Sequence, residues 1–461
     1  MTKSVTLIGA GPAGLAAALT LVKNEIPVRV LEREATLGGL SRTLQHNGNL
    51  MDIGGHRFYT RFPEIMELWH ELLPMDFAQI ERTSNIFYKN RLFAYPLSAL
   101  NILQQLGPIE MARFVLSYIA TIAYPMHETD SFEGWMTRQF GHRLYTAFFQ
   151  NYTEKIWGMP CKEISSDWAR QRIQGLSIGQ VIKSLLWPRQ HDEPGPKSTI
   201  QKFFYPRRGP GMMWEACARH IAMNGSAIET GIDIDGVHHH DGQVYKISGR
   251  DASGRPWSCP VEQLISSMPL RQLLEALQPA PPKEMLAAAR RLTYRDYLLV
   301  FLVVDKKHIF ADQWRYIQDE SFKVARIQNF KNWSPALVQN QEFSTLGMEY
   351  YLNESDDAWL WTDERWLELA AHECEKLCLF EPSLLRDGSV IRIRQAYPIY
   401  DLAYKQTVNA LRAYIETFNN LQTIGRNGLH RYNNMDHSML TGIAAAERLL
   451  GNNKNSWDIA A

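Results

Sequence analysis

Three glycines near the start leave the chain little choice of fold. Residues 4–8, SVTLI, form a short β-type run, and Gly9, Gly11 and Gly14 follow at the spacing G-x-G-x-x-G. The stretch LAAALTLVKN then reads as a helix whose Ala16, Ala17 and Ala18 allow close packing, and VRVLE, residues 28–32, reads as a second strand. Strand, glycine turn, helix and strand in about thirty residues is the arrangement that binds a dinucleotide. Gly9 permits the tight turn, Gly11 lets the backbone approach a pyrophosphate, and Gly14 lets helix and strand pack closely. The helix N-terminus offers N–H groups and a positive dipole end to the phosphates. Glu32 ends the second strand, where a carboxylate accepts hydrogen bonds from a ribose and disfavours a 2′-phosphate.

Bulk properties narrow the partners. Lysine plus arginine equals aspartate plus glutamate, 49 each in 461 residues, so nothing points to nucleic acid and any anion must be held by local clusters. Five scattered cysteines form no disulfide framework and fit a reducing, cytoplasmic setting. No cysteine–histidine group has metal-ligand spacing, so no metal is expected. No secretory leader is evident, and no run reads as long enough to cross a bilayer. The nearest is FVLSYIATIAY, residues 114–124, ended by Pro125. It reads as a buried helix, with an interfacial helix in peripheral membrane contact, or one lining an apolar pocket, as the other readings.

After Glu32 come Gly38, Gly39 and Arg42. Here the chain resembles the broad FAD family of amine oxidases, phytoene desaturases, protoporphyrinogen oxidase and UDP-galactopyranose mutase. In that family a Gly-Gly pair and a nearby arginine continue the flavin pyrophosphate site. ISSMP, residues 265–269, looks like a later strand that meets the FAD, and Ile424-Gly425-Arg426 looks like the chain end returning to cover it.

Further segments resemble the bacterial UDP-galactopyranose mutases. Residues 53–60, IGGHRFYT, are similar to the mutase segment whose histidine lies against the flavin, which implies that role for His56. LFAYPL, residues 92–97, follows in the same order. YTEKIWG, residues 152–158, nearly reproduces a mutase motif, implying that Tyr152 stacks on a base and Trp157 lies near the sugar. VARI, residues 324–327, resembles the strand carrying a diphosphate-binding arginine, here Arg326. Arg426, Tyr432 and Met435 keep the spacing of a last mutase run, in which the arginine touches the flavin region and the tyrosine the diphosphate. Read from chemistry alone, arginine suits phosphate by its planar fork, and an aromatic face suits a base. Tyr152 and Trp157 also read as core aromatics, and Arg326 as a surface arginine.

The match breaks at one place. Mutases carry a mobile-loop arginine ahead of the segment resembling 205–215, and counting back from Pro206 reaches Gln201, with Lys202 beside it. Lys202, Arg207 and Arg208 are the candidate substitutes. Residues 205–215, YPRRGPGMMWE, are closer to protoporphyrinogen-oxidase-like proteins, and Asn434 stands where mutases have aspartate. Two functions therefore stand side by side. One is a mutase that interconverts pyranose and furanose forms of a nucleotide sugar through reduced FAD, with His56, Arg326 and Arg426 in catalysis. The other is an FAD-dependent oxidoreductase on an amine, prenyl, polyene or tetrapyrrole-like small molecule, with residues 114–124 lining its pocket. A non-catalytic FAD scaffold comes third. The external electron donor and the oligomeric state are not legible.

The expected fold is α/β: a GR2-type FAD-binding Rossmann domain of discontinuous segments, 1–75, 205–270 and 385–461. A mainly helical insert at 100–200 and a twisted-sheet substrate domain at 76–99 and 271–384 complete it. Residues 190–202, rich in proline and charge, read as a linker, and His238, His239 and His240 before Asp-Gly read as a turn.

Overall fold

The computed structural model describes residues 4–124, 130–173 and 202–459; most of the expected linker at 190–202 lies outside them. A five-stranded parallel sheet forms the base, in the order Leu421–Thr423, Gln263–Ser266, Val5–Ile8, Val28–Glu32, Ala227–Thr230. Val5–Ile8 is buried on both faces, as a central parallel strand covered by helices must be. Pro12 starts the first helix, Pro12–Lys23, where its missing N–H costs nothing. The fold is thus α/β with a discontinuous Rossmann-like domain, as expected.

That first helix packs along the last one, Met435–Leu449, through small residues. Ala16, Ala17 and Ala18 on one side and Ala444, Ala445 and Ala446 on the other are all buried. Gly442 is the closest point: a Cβ there would sit 2.0 Å from the Ala13 carbonyl oxygen.

A seven-stranded sheet stands over the first. Its order is Leu385–Pro398, Tyr294–Val304, Ser344–Leu352, Arg326–Asn329, Trp314–Ile317, Ser84–Tyr88, Arg91–Ala94. All eleven residues of Tyr294–Val304, YRDYLLVFLVV, are buried. Two boundaries differ from the sequence reading. Leu385–Pro398 pairs with Tyr294–Val304, so residues 385–398 belong to this sheet and not to the cofactor-binding segment. The helices Leu270–Ala276 and Lys283–Arg291 pack Leu273, Leu274 and Ala289 into the core that contains Ile8 and Leu264, so they belong with the Rossmann-like domain. The histidines at 238–240 end the strand Asp233–His240, and the turn is Asp241-Gly242 after them.

Among the described residues, the segment between the sheets' parts is helical: Ala99–Ala123, Phe132–Phe140, His142–Tyr145, Asn151–Trp157 and Ser166–Ile173. The expectation of a buried helix at 114–124 fails. The element Ala99–Ala123 is two helical stretches run end to end across a kink at Gly107 (φ 82°) before Pro108, and only Ile102 and Phe114 within it are buried. Counting only residues 114–124 also missed its length: by length and composition alone it is long and apolar enough to cross a membrane.

Close packing of the two small-residue helices makes a sharp prediction. Gly442→Val should destabilise the protein by about 3 kcal/mol or more, because the new methyls meet backbone and cannot be absorbed by a rotamer change. Thermal unfolding of the two proteins checks this, and an unchanged midpoint contradicts it.

Candidate active site

A cavity of about 710 Å³ runs between the parallel sheet and the seven-stranded sheet. One end is built from the first glycine turn. Gly9, Gly11 and Glu32 line it, together with Gly39, Ile232 and the first strand residues after it, Asp233 and Ile234. Gly9 has φ 97°, and its missing side chain leaves room for Ser267, whose Oγ would lie 2.0 Å from a Cβ. The Glu32 carboxylate accepts the Ala10 N–H at 2.7 Å through one oxygen and the Glu34 N–H at 2.9 Å through the other. A carboxylate has acceptor capacity beyond those two bonds, which suits a ribose.

The other residues expected at this end lie around the cavity and do not line it. Gly14 lies inside the helix and lines nothing; its Cβ would meet the Gly9 carbonyl at 1.9 Å. Gly38 packs under Trp214, and its N–H donates to the Ala10 carbonyl at 2.8 Å. Arg42 does not line the cavity either. It is buried beside the loop, donates to the Gly39 carbonyl at 2.9 Å, and lies 3.6 Å from Glu34. These three shape the trough instead of touching what fills it.

The middle of the cavity is walled by His56 and by the C-terminal return. Gly425, Arg426 and Asn433 to Ser438 line it, including Met435 at the start of the last helix. That helix start adds the positive end of a dipole. Arg426 donates twice to the Asn433 carbonyl, at 3.0 and 2.8 Å, and lies over the rings of Tyr432 (4.8 Å) and Tyr397 (5.1 Å). Among the described residues it makes no salt bridge to a carboxylate within 4 Å. His56 places Nε2 2.6 Å from the Ile53 carbonyl, which can only accept, so that nitrogen carries the proton. Burial, then the nearby charges of Arg426 and Arg326, hold its pKa down at about 4. It is neutral at pH 7.

The far end is aromatic. Tyr152, Trp157, Tyr316, Tyr351, Tyr397 and Tyr432 face it. Tyr432 stacks on Tyr397 with ring centres 5.5 Å apart, and Trp157 meets Tyr432 edge-on at 5.8 Å. Trp157 is almost wholly buried, and its Nε1 has no partner. Within the YTEKIWG segment, the charged residues are anchors. Lys155 donates to the carbonyls of Ile317, Asp319 and Val324 at 3.1–3.2 Å. Arg295 caps the same helix through the carbonyls of Lys155 and Ile156. Together they hold Tyr152 and Trp157 against the strand that carries Arg326.

Arg326 lines the cavity but is not a free cation. Its guanidinium grips Glu349 with two bonds, at 2.9 and 2.6 Å. Gln328 and Tyr351 donate to the same carboxylate at 2.6 and 3.1 Å, and the Glu349 side chain is fully buried. Burial works to lower the Arg326 pKa, but Glu349, Tyr351 and Tyr152 together raise it well above the ordinary value and the group is held protonated.

The sequence reading missed several of these residues. Glu349 had a signal, an acid in the apolar strand STLGMEYYL, where a lone buried carboxylate needs partners. Arg57 and Arg61 line the cavity, on the segment that Phe58 bridges to Phe204 of the strand where a replacement arginine was sought. Lys202, Arg207 and Arg208 do not line it: Lys202 is exposed and 3.8 Å from Glu81, and both arginines are exposed. Residues 114–124 line no part of the cavity.

The trough, the acid closing the second strand and the helix starts fit a dinucleotide. The comparisons agree on that class. The NAD(P)-binding Rossmann-like domain family matches residues 7–72. Over its whole length the chain has the fold of UDP-galactopyranose mutase: a crystal structure of the reduced mutase superposes with a TM-score of 0.84, covering 100% of this chain and 98% of that one at 22% identity. In sequence the chain is similar to the Klebsiella pneumoniae protein named "Probable UDP-galactopyranose mutase", 27% identical over 171 residues. It is also similar to the dTDP-fucopyranose mutase of Escherichia coli, 25% identical over 167 residues. Each match spans 35% of this chain and 43% of the relative.

The state of His56 is directly measurable. A base whose folded pKa is depressed adds stability that is complete above its unfolded value, near 6.5, and is lost as pH falls through 4. NMR of the ligand-free protein should show the ring neutral at pH 7 and titrating near pH 4. A midpoint at the ordinary value would mean that the two arginines and burial do not act on it as described.

Proposed function

We propose that the chain is an FAD enzyme of the UDP-galactopyranose mutase kind, acting with a reduced flavin on a nucleoside-diphosphate sugar. The observation that carries the reading is the charge of the cavity wall. Arg57, Arg61, Arg326 and Arg426 line it, and while Arg326 is paired with Glu349, Arg426 has no carboxylate within 4 Å among the described residues. A site for an amine or a polyene has no use for guanidinium groups beside a cluster of tyrosines. A diphosphate joined to a base and a sugar uses both.

The residues divide the work by their surroundings. Glu32 and the first glycine turn hold the adenosine end of FAD, and the helix start at Met435 and Arg426 sit beside its flavin end. The chemistry a reduced flavin supplies in such a site is nucleophilic attack at the sugar's anomeric carbon. Arg426, with no carboxylate within 4 Å among the described residues, stabilises the negative charge on the departing diphosphate. Arg326 is aimed by Glu349 and contributes direction as much as charge. Tyr432 and Tyr397 offer hydroxyls to the same group, and Tyr152 and Trp157 offer faces to base and sugar. His56, whose Nε2–H is spent on the Ile53 carbonyl, is left with Nδ1 as a neutral acceptor, and so adjusts the flavin by accepting a hydrogen bond and not as a cation.

The decisive assay uses dithionite-reduced protein under anaerobic conditions, with a panel of UDP-, dTDP- and GDP-sugars and the oxidised protein alongside. An isomeric nucleotide sugar should form with the reduced protein alone. No product, together with a flavin spectrum indifferent to nucleotides, would sink the mutase reading and put the oxidoreductase first.

Binding separates the arginines. By calorimetry, Arg426→Ala and Arg57→Ala should each weaken UDP by roughly 10- to 100-fold, the loss of a charge-assisted bond. Lys202→Ala should change it by about twofold or less, as for an exposed surface charge. If Lys202→Ala is the damaging change, the cations are assigned to the wrong element.

A further inference from the structure

The helix Ala99–Ala123 is the largest feature that the site does not use. Ile109 is 70% exposed, Leu116 65%, Ile119 53%, Ile122 61%, and Tyr124 just after the helix 82%. From Pro108 onward, at 3.6 residues per turn, Ile109, Ala112, Val115, Leu116, Ile119, Ala120, Ile122 and Ala123 cover an arc of roughly 160° with no polar side chain in it. Monomeric proteins rarely leave an apolar patch this continuous to water.

The opposite face is fixed. Ile102 and Phe114 are buried with Ile86, Phe93 and Phe148, and Gly141 lies against the Tyr118 backbone, where a Cβ would be 2.9 Å from its Cα. A helix held in this way along its length cannot cross a bilayer without stripping its inner face. It can lie in the plane of one with the outer arc immersed.

The charges agree with an anionic surface. The 25-residue helix has two charged residues, Glu110 and Arg113. Glu110 is shared by Arg113 at 2.6 Å and Arg143 at 3.1 Å, so two guanidiniums border the arc for one carboxylate. Lys89 and Arg91 are exposed on the adjoining hairpin, whose second strand is tied to the helix by the Ala94 N–H to Asn101 Oδ1 bond, 3.0 Å. An apolar face with basic residues beside it is the pattern of an interfacial helix.

A second copy of the chain fits less well. The arc is aliphatic throughout, whereas protein interfaces draw their energy from Trp, Tyr and Arg. It is also wider than the narrow seam of paired helices.

We propose that Ala99–Ala123 docks the protein in-plane on an anionic bilayer surface. This goes beyond the proposed reaction and does not depend on it. Full-length protein is sedimented with vesicles of phosphatidylcholine and phosphatidylglycerol, and with vesicles of phosphatidylcholine alone. The comparison protein is the double variant Leu116→Glu and Ile119→Glu, both solvent-facing, with circular dichroism and bound flavin as controls for folding. The wild type should bind the anionic vesicles, bind the neutral ones more weakly, and lose at least about tenfold in affinity in the variant. Light scattering should give one oligomeric state for both proteins. Wild type that stays in the supernatant, or a variant that binds as the wild type does, overturns the proposal. Equal binding to both vesicle types overturns the anionic assignment. A wild-type dimer that the variant splits, without vesicle binding, gives the face to a second copy.

Discussion

Backbone meets backbone at two places where a side chain is missing, and the rest of the site follows from that contact. A Cβ on Gly14 would overlap the Gly9 carbonyl, and one on Gly442 would overlap the Ala13 carbonyl. The first helix can therefore lie on the first strand and receive the last helix on its other side. Because that last helix seats directly on the first, the chain end returns to the glycine turn. It delivers Gly425, Arg426, Tyr432 and Met435 to a cavity begun by Gly9 and Glu32. Bulkier residues at these contacts would separate the two walls, and the trough would lose its floor.

Charge is then distributed by pairing and not by count. Arg326 and Glu349 stand directly opposite each other on neighbouring antiparallel strands. Burying a carboxylate is expensive unless its lone pairs are filled, and here the guanidinium, Gln328 and Tyr351 fill them. The result is a rigid dipolar group with little net charge. Arg426 is held differently, by a backbone carbonyl and two aromatic rings, which orient it without cancelling it. Its field reaches the cavity and is one of the causes that keep His56 neutral. Two arginines that look equivalent in sequence thus do different physical work.

How much of this was legible depends on range. The glycine turn, Glu32 and the first two strands were, because their meaning lies within one short segment with its own periodicity. Arg326 was legible as a position, while its neutralisation was not, since that depends on the register between residues 326–329 and 344–352. The search for a replacement arginine went to Lys202 because it followed linear spacing. The strand Lys202–Pro206 instead pairs with Phe77–Glu81 and leaves Lys202 at its exposed start. Arg57 and Arg61 were in plain view beside His56 and passed over, since a resemblance directs attention to the residues it already names. The helix 99–123 was misread for a simpler reason: Gly107-Pro108 divides it, and a short apolar run is ordinarily core.

The helix and the cavity share a wall. Ile86, Tyr95 and Phe148 line the aromatic end of the cavity and also belong to the cluster that holds Ile102 and Phe114. A close-packed layer transmits displacement, because its side chains have no voids to move into. The opposite end rests on the parallel sheet and carries the carboxylate of Glu32 and the glycine turn. The polar trough is thereby anchored in the rigid α/β base. The aromatic end is backed by a helical element whose outer face is apolar and exposed.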